Sequence, residues 1–140
     1  MQRLKTRAQF QAVLGGKLVA KTEHFALHCV ELGTATVATA ASVPVPVFTR
    51  DATWFGAMAP KRWAKRAVTR NAIKRQIYSV GTLLKPILPN AAFLVRLRRE
   101  FSRKDFISAS STELKEAVRS EVLELMKKVH PAHAQGAISA

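Results

Sequence analysis

The sequence predicts a small α/β sandwich, with elements in the order α-β-β-α-β-α around a small mixed sheet. Three observations carry that expectation. Residues 24–31 and 91–98 alternate in the two-residue period of a strand. Helix-start signals at Thr6 and Ser110 are each followed by apolar residues at spacings of three and four. Between the two alternating stretches lies a short apolar run, Trp54 to Met58, which Pro60 stops before a further helical repeat begins.

Thr6-Arg7-Ala8-Gln9 has the pattern of a capping box, with Phe10, Val13 and Leu14 on one helical face behind it and Gly15-Gly16 as its end. Over residues 24–31, Phe25, Leu27 and Cys29 share one strand face, and His24, Ala26 and His28 the other. An extra strand is possible near residues 17–21. Residues 33–49 are uncharged and rich in Ala, Thr and Val, with Pro44 and Pro46; they read as an extended loop or hairpin, part of an insertion over 33–53. A helix is expected from Arg66 or Ala67 to Val80, ended by Gly81. In the strand that follows, Phe93, Val95 and Leu97 oppose Leu94, Arg96 and Arg98. The final helix opens on Ser110 and Glu113, carries Leu114, Ala117, Val118, Val122, Leu125, Met126 and Val129 on its apolar stripe, and closes at His130-Pro131. A single domain over residues 1–130 with a disordered tail over 131–140 is the expected organisation.

The chain has 140 residues, a formal net charge of +14 and 48% hydrophobic residues. That apolar fraction excludes a disordered basic tail and leaves a folded, basic domain. With Cys29 the only cysteine, no internal disulfide or cysteine-based zinc site can form, which suits a reducing cytoplasm. No apolar segment follows the basic N-terminus as a secretory signal requires, and no apolar run is long enough to span a membrane. His24 and His28 share a strand face but stand about 13 Å apart, too far for one metal ion. The expectation is therefore a soluble, cytoplasmic protein that holds no metal of its own.

Charge is concentrated where acids are missing. From Ala52 to Arg99 there is no Asp or Glu, yet this stretch holds 11 of the 23 Lys and Arg residues. On a helical wheel at about 100° per residue, Arg70, Lys74, Asn71 and Arg75 fall within an arc of about 140°, with Ile73, Ile77 and Val80 on the other side. One face of that helix is suited to a core and the other to a polyanion. Arginine forks and lysine charges fit phosphate oxygens, and Asn fits sugar or base edges. Lys61, Arg62, Lys65 and Arg66 precede the helix and extend the patch. Nucleic acid is the partner this pattern implies. A solvated basic face is the bland alternative, and the lack of compensating acids argues against it.

The stretch Phe55-Gly56-Ala57-Met58-Ala59-Pro60-Lys61-Arg62-Trp63-Ala64-Lys65-Arg66-Ala67-Val68-Thr69-Arg70-Asn71-Ala72-Ile73-Lys74-Arg75 resembles the signature of the bacterial ribonuclease P protein component. That signature leads from a strand through a Lys-Lys or Lys-Arg pair and Ala-Val into Arg-Asn-x-x-Lys-Arg. The likeness covers most of the chain, from Arg3-Leu4 and the first helix to the late strand and the last amphipathic helix. It implies a ribosomal S5 domain 2-like fold with a left-handed β-α-β crossover. It also implies the protein subunit of an endoribonuclease ribonucleoprotein whose catalysis resides in its RNA, and which removes the 5′ leader from precursor tRNA with divalent metal (Mg) bound mainly by that RNA.

By the same resemblance, Arg70, Asn71, Lys74 and Arg75 contact the catalytic RNA, and Lys61, Arg62, Lys65 and Arg66 screen phosphate repulsion and favour metal binding there. Phe10 and Val13, with Phe25 or His28, would line a cleft for the single-stranded leader; ordinary core packing fits the first three equally well. The implied partners are ribonuclease P RNA and precursor tRNA, with no membrane and no obligate protein partner. The chain departs from the pattern at Ala72, where an Arg is frequent, at Leu14, where an aromatic is frequent, and at Asn90, where Asp often stands. A basic residue common near Tyr78 is absent, and the 33–49 segment is longer than the usual connection. A ribosomal or RNA-chaperone protein shares the charge pattern and remains the alternative. A protein-only nuclease is disfavoured, because the basic region has no carboxylate to hold a catalytic metal.

Overall fold

The computed structural model describes residues 2–32, 36–37, 45–46, 48, 52–101 and 112–139. Strands β1 (Gln2–Arg3), β2 (Lys17–Lys21), β3 (Phe25–Val30), β6 (Trp54–Met58) and β7 (Ala92–Leu97) form one sheet in the order β1-β6-β7-β3-β2. β1, β6 and β7 are parallel neighbours, β3 pairs antiparallel with β7, and β2 pairs antiparallel with β3. The helices are α1 (Arg7–Leu14), α2 (Ala67–Leu84) and α3 (Thr112–Ser139), and a 3₁₀ turn follows α2 at Lys85–Ile87. α2 connects β6 to β7, so these two parallel strands and α2 make one β-α-β unit.

The sheet is covered on both faces, which explains why its central strands are buried almost throughout. On one face Phe25, Leu27, Cys29, Phe55, Phe93, Val95 and Leu97 pack with Ile73, Ile77 and Val80 of α2 and Leu114, Val118, Val122, Leu125 and Met126 of α3. On the other, Leu4 and Val13 pack with Trp54, Ala92 and Leu94, and Phe48 joins them. Leu94 is therefore fully buried, although it alternates with the core residues of its strand. Burial also pushes the Cys29 thiol up to about 11, with Glu31 as a smaller cause.

α1 is held as its sequence predicts. The Thr6 hydroxyl accepts from Gln9 N at 3.1 Å, and the Gln9 side chain accepts from Thr6 N at 3.2 Å and Lys5 N at 2.7 Å. Gly16 then lets the chain pass close to β3: a Cβ there would lie 2.6 Å from the Cys29 carbonyl. β1 has no local sequence signal. It is fixed by Gln2 N donating to Thr53 O at 2.9 Å and Leu4 N to Phe55 O at 3.0 Å. Gly56 makes room for Leu4, whose Cδ1 would lie 2.5 Å from an added Cβ.

Two expectations are corrected. α2 runs through Gly81 to Leu84, because this glycine serves packing against Phe55 and leaves the helix intact. α3 runs past Pro131 to Ser139, where a helix end and a disordered tail were expected. Proline's fixed φ is helical and costs one backbone hydrogen bond, and Ala132, Ala134 and Ala137 favour continuation. Within the uncharged segment, read as an extended loop or hairpin, β4 (Thr36–Val37) pairs antiparallel with β5 (Val45–Pro46). Ser110, the expected cap of the last helix, lies outside the described residues.

Candidate nucleic-acid interface

α2 sits on the sheet through Ile73, Ile77 and Val80, so its opposite face is turned to solvent. Asn71 and Arg75 are exposed there, and Arg70 and Lys74 are half-buried at its edge. Arg70 has a structural task as well. Its guanidinium donates to Ala64 O at 3.0 Å and Lys65 O at 2.8 Å, tying down the turn that carries Lys61, Arg62, Lys65 and Arg66. All four of those cations are exposed. The Arg62 guanidinium lies 5.1 Å from the Trp63 ring centroid.

The start of α2 is built against its own stability. Arg66 occupies the N-cap without a side-chain capping bond, and the first turn holds no acid. Cations at a helix N-terminus oppose the macrodipole, while free backbone N–H groups attract anions. A phosphate at this end would satisfy the amides and neutralise the arginines together. The eight expected contact residues thus lie on α2 and on the turn that Arg70 ties to it. Beside them, a cavity of about 320 Å³ is lined by Val68, Asn71, Ala72, Arg75, Gln76 and Lys115. Lys115 comes from α3, so a cation of another element borders the position where Ala72 replaces a frequent Arg.

The four expected leader residues are divided by the sheet. His28 and Phe10 lie on the α1 side: His28 pairs with Leu94 across the strands, and Phe10 is half-buried against the Leu4–Val13 cluster. Phe25 points the opposite way, fully buried with the residues of α2 and α3, which removes it from any surface shared with α1. Val13 is also fully buried and supports the sheet from below. His28 is buried too; Arg96 Nε donates to its Nε2 at 3.3 Å. Desolvation, then the Arg96 charge, push the His28 pKa below 6.5, which keeps the ring neutral.

Residues absent from the expected set complete this face. Arg96 pairs with Met58 and Ala26, and its own pKa is lowered by burial and by the charges of Arg62 and Arg98. The Arg62 charge thus links the α2 surface to the sheet face under α1. Leu18 pairs with His28 and is 49% exposed, an apolar side chain at the edge of the same face. Strand alternation alone places Arg96 beside Leu94, but only the tertiary register sets it against His28.

A family model for Ribonuclease P matches residues 1–129. The chain belongs to the ribonuclease P protein family. Over 72 residues it is 36% identical to the ribonuclease P protein component of Ralstonia pickettii, a match covering 51% of this chain and 50% of that protein. The chain thus spans about half the length of the curated relative it matches. The fold is that of the RNase P proteins of Staphylococcus aureus (TM-score 0.63, 19% identity, 91% of this chain and 94% of that one) and Thermotoga maritima (TM-score 0.61, 20% identity, 91% and 97%). Among the described residues, no group of three or more His, Cys, Asp or Glu is placed to hold a metal ion, and no helix is long and apolar enough to cross a membrane.

Proposed function

We propose that this chain is the cytoplasmic protein subunit of ribonuclease P, which binds the catalytic RNA and the 5′ leader of precursor tRNA. The observation that carries the reading is the set of solvent-facing cations on α2 and its preceding turn, with no acid among them, in a chain of this family. Arg70, Asn71, Lys74 and Arg75 grip the catalytic RNA, and Lys61, Arg62, Lys65 and Arg66 neutralise phosphates close to it. Divalent metal, assigned to the RNA, would supply the chemistry of phosphodiester hydrolysis. The protein's part is to lower the repulsion that metal and substrate phosphates meet on approach.

Phe10 and His28, on one side of the sheet, are the candidates for leader contact, with Arg96 and Leu18 beside them. Phe10 offers a ring for an unpaired base and Arg96 a charge for its phosphate. Val13 and Phe25 position this face without touching the leader.

Titrating the catalytic RNA with wild type and with Lys74→Ala/Arg75→Ala at several salt concentrations tests the reading. Loss of two phosphate contacts lowers the slope of log K against log salt by about 1.4–1.8. An unchanged slope and affinity would remove this face from the RNA interface.

A further inference from the structure

The second half of α2, from Gln76 to Leu84, has no cation of its own. The fold brings one there from the other end of the chain. β1 runs beside β6, and the Arg3 guanidinium lies 4.1 Å from the centroid of the Tyr78 ring. Arg3, Arg75, Tyr78, Ser79 and Thr82 line an open cleft of about 370 Å³. No carboxylate is among these lining residues, although two arginines share the cleft.

Both sides of the cleft are fixed in advance. Main-chain hydrogen bonds of Gln2 to Thr53 and of Leu4 to Phe55 flank Arg3, and Leu4 is locked over Gly56. The Tyr78 ring stands edge-on to Phe55, with centroids 6.1 Å apart, and its hydroxyl accepts from Ala57 N at 3.3 Å. The ring is therefore a rigid platform for the stacked guanidinium, which loses little further freedom on binding. From α3, Arg119 Nη1 donates to Ser79 Oγ at 3.0 Å. With its oxygen accepting there, the Ser79 hydroxyl keeps its proton for a second acceptor.

We propose that this cleft is a phosphate site, in which Arg3 of β1 and Arg75 of α2 hold one phosphodiester of the bound RNA. Ser79 and Thr82 supply hydroxyl donors, and Arg119 adds a third positive charge behind Ser79. The proposal rests on the RNA-binding reading above and extends that footprint along α2 by about 10 Å, from Arg75 to Thr82 at 1.5 Å per residue. Two like charges brought together without an acid favour a doubly shared anion, and RNA phosphate is the anion that continues the neighbouring surface.

The test measures affinity and its salt slope for ribonuclease P RNA and for bulk tRNA, using wild type, Arg3→Met, Arg3→Lys, Arg75→Ala and the Arg3→Met/Arg75→Ala double variant. Met keeps an apolar stem on the Tyr78 ring and removes the charge. Arg3→Met should weaken binding about tenfold and reduce the slope by about 0.7–0.9. Arg3→Lys should keep the slope and lose part of the affinity, because a point charge cannot replace the stacked fork. Effects of Arg3→Met and Arg75→Ala should be non-additive if they share one phosphate. Unchanged affinity and slope in Arg3→Met overturn the site. Equal losses on both RNAs, with wild type showing no preference for ribonuclease P RNA, keep the site and overturn the ribonuclease P reading.

Discussion

Gly81 lies directly against the ring of Phe55, and a Cβ at this glycine would come within 2.8 Å of Phe55 Cε1. This contact sets how closely α2 lies on the sheet, and therefore where the whole cationic face stands. Both residues are inside the core, so neither partner has room to yield. Gly81→Ala should destabilise the protein by about 1–3 kcal/mol through overpacking, although alanine is the better helix former. Urea unfolding measures it; a gain in stability would show that the helix shifts freely.

Arg70 and Arg75 lie on the same face but differ in task. Arg70 clamps two carbonyls of the preceding turn, whereas Arg75 is exposed. Arg70→Ala should cost about 1–3 kcal/mol of stability and also weaken RNA binding. Arg75→Ala should weaken RNA binding while stability stays within about 0.5 kcal/mol. Thermal melts beside RNA titrations separate the two, and equal melts would remove the clamp from the account.

Glu121 of α3 gathers the turn between β2 and β3. Its carboxylate accepts from Thr22 Oγ1 at 2.7 Å and His24 N at 2.7 Å, and pairs with His24 Nδ1 at 2.7 Å. The His24 ring stacks on Phe101, with centroids 4.0 Å apart. Glu121→Ala leaves these donors without their acceptor and should cost about 1–3 kcal/mol. Hydrogen exchange at the His24 amide should rise before that of the β3 core; uniform protection would contradict the clasp.

His28 predicts a pH dependence. Its folded pKa is lowered from 6.5, so the unfolded chain takes up the proton first as pH falls. Stability contributed by the neutral ring is complete above 6.5 and is lost as pH drops toward and through the folded value. Compared with His28→Gln, wild type should lose stability below that point. Parallel curves for the two proteins would mean that His28 is not desolvated.

Local signals carried much of the fold. The capping box of α1, the run Trp54–Met58 and the apolar stripe of α3 are each set by neighbours within a few residues. Non-local facts were not legible. β1 is two residues long and exists through its pairing with β6, so no periodicity announces it. Gly81 reads as a helix stop until Phe55 is beside it. The two-residue period sets Phe25 and His28 on opposite faces of their strand, but which face lies under α1 and which under α2 and α3 is decided only by the tertiary packing. For the site, the cations of the 61–75 stretch were visible because acids are absent around them. Arg3, Arg96 and Lys115 reach their places only through tertiary structure.

The most direct measurement is cleavage of a precursor tRNA at low magnesium by catalytic RNA alone, by protein alone and by both together. The account predicts efficient cleavage only in the mixture, with Lys74→Ala/Arg75→Ala protein needing more magnesium to reach the same rate. No rescue by a protein that still binds RNA would contradict the subunit reading and leave a basic RNA-binding domain of another assembly.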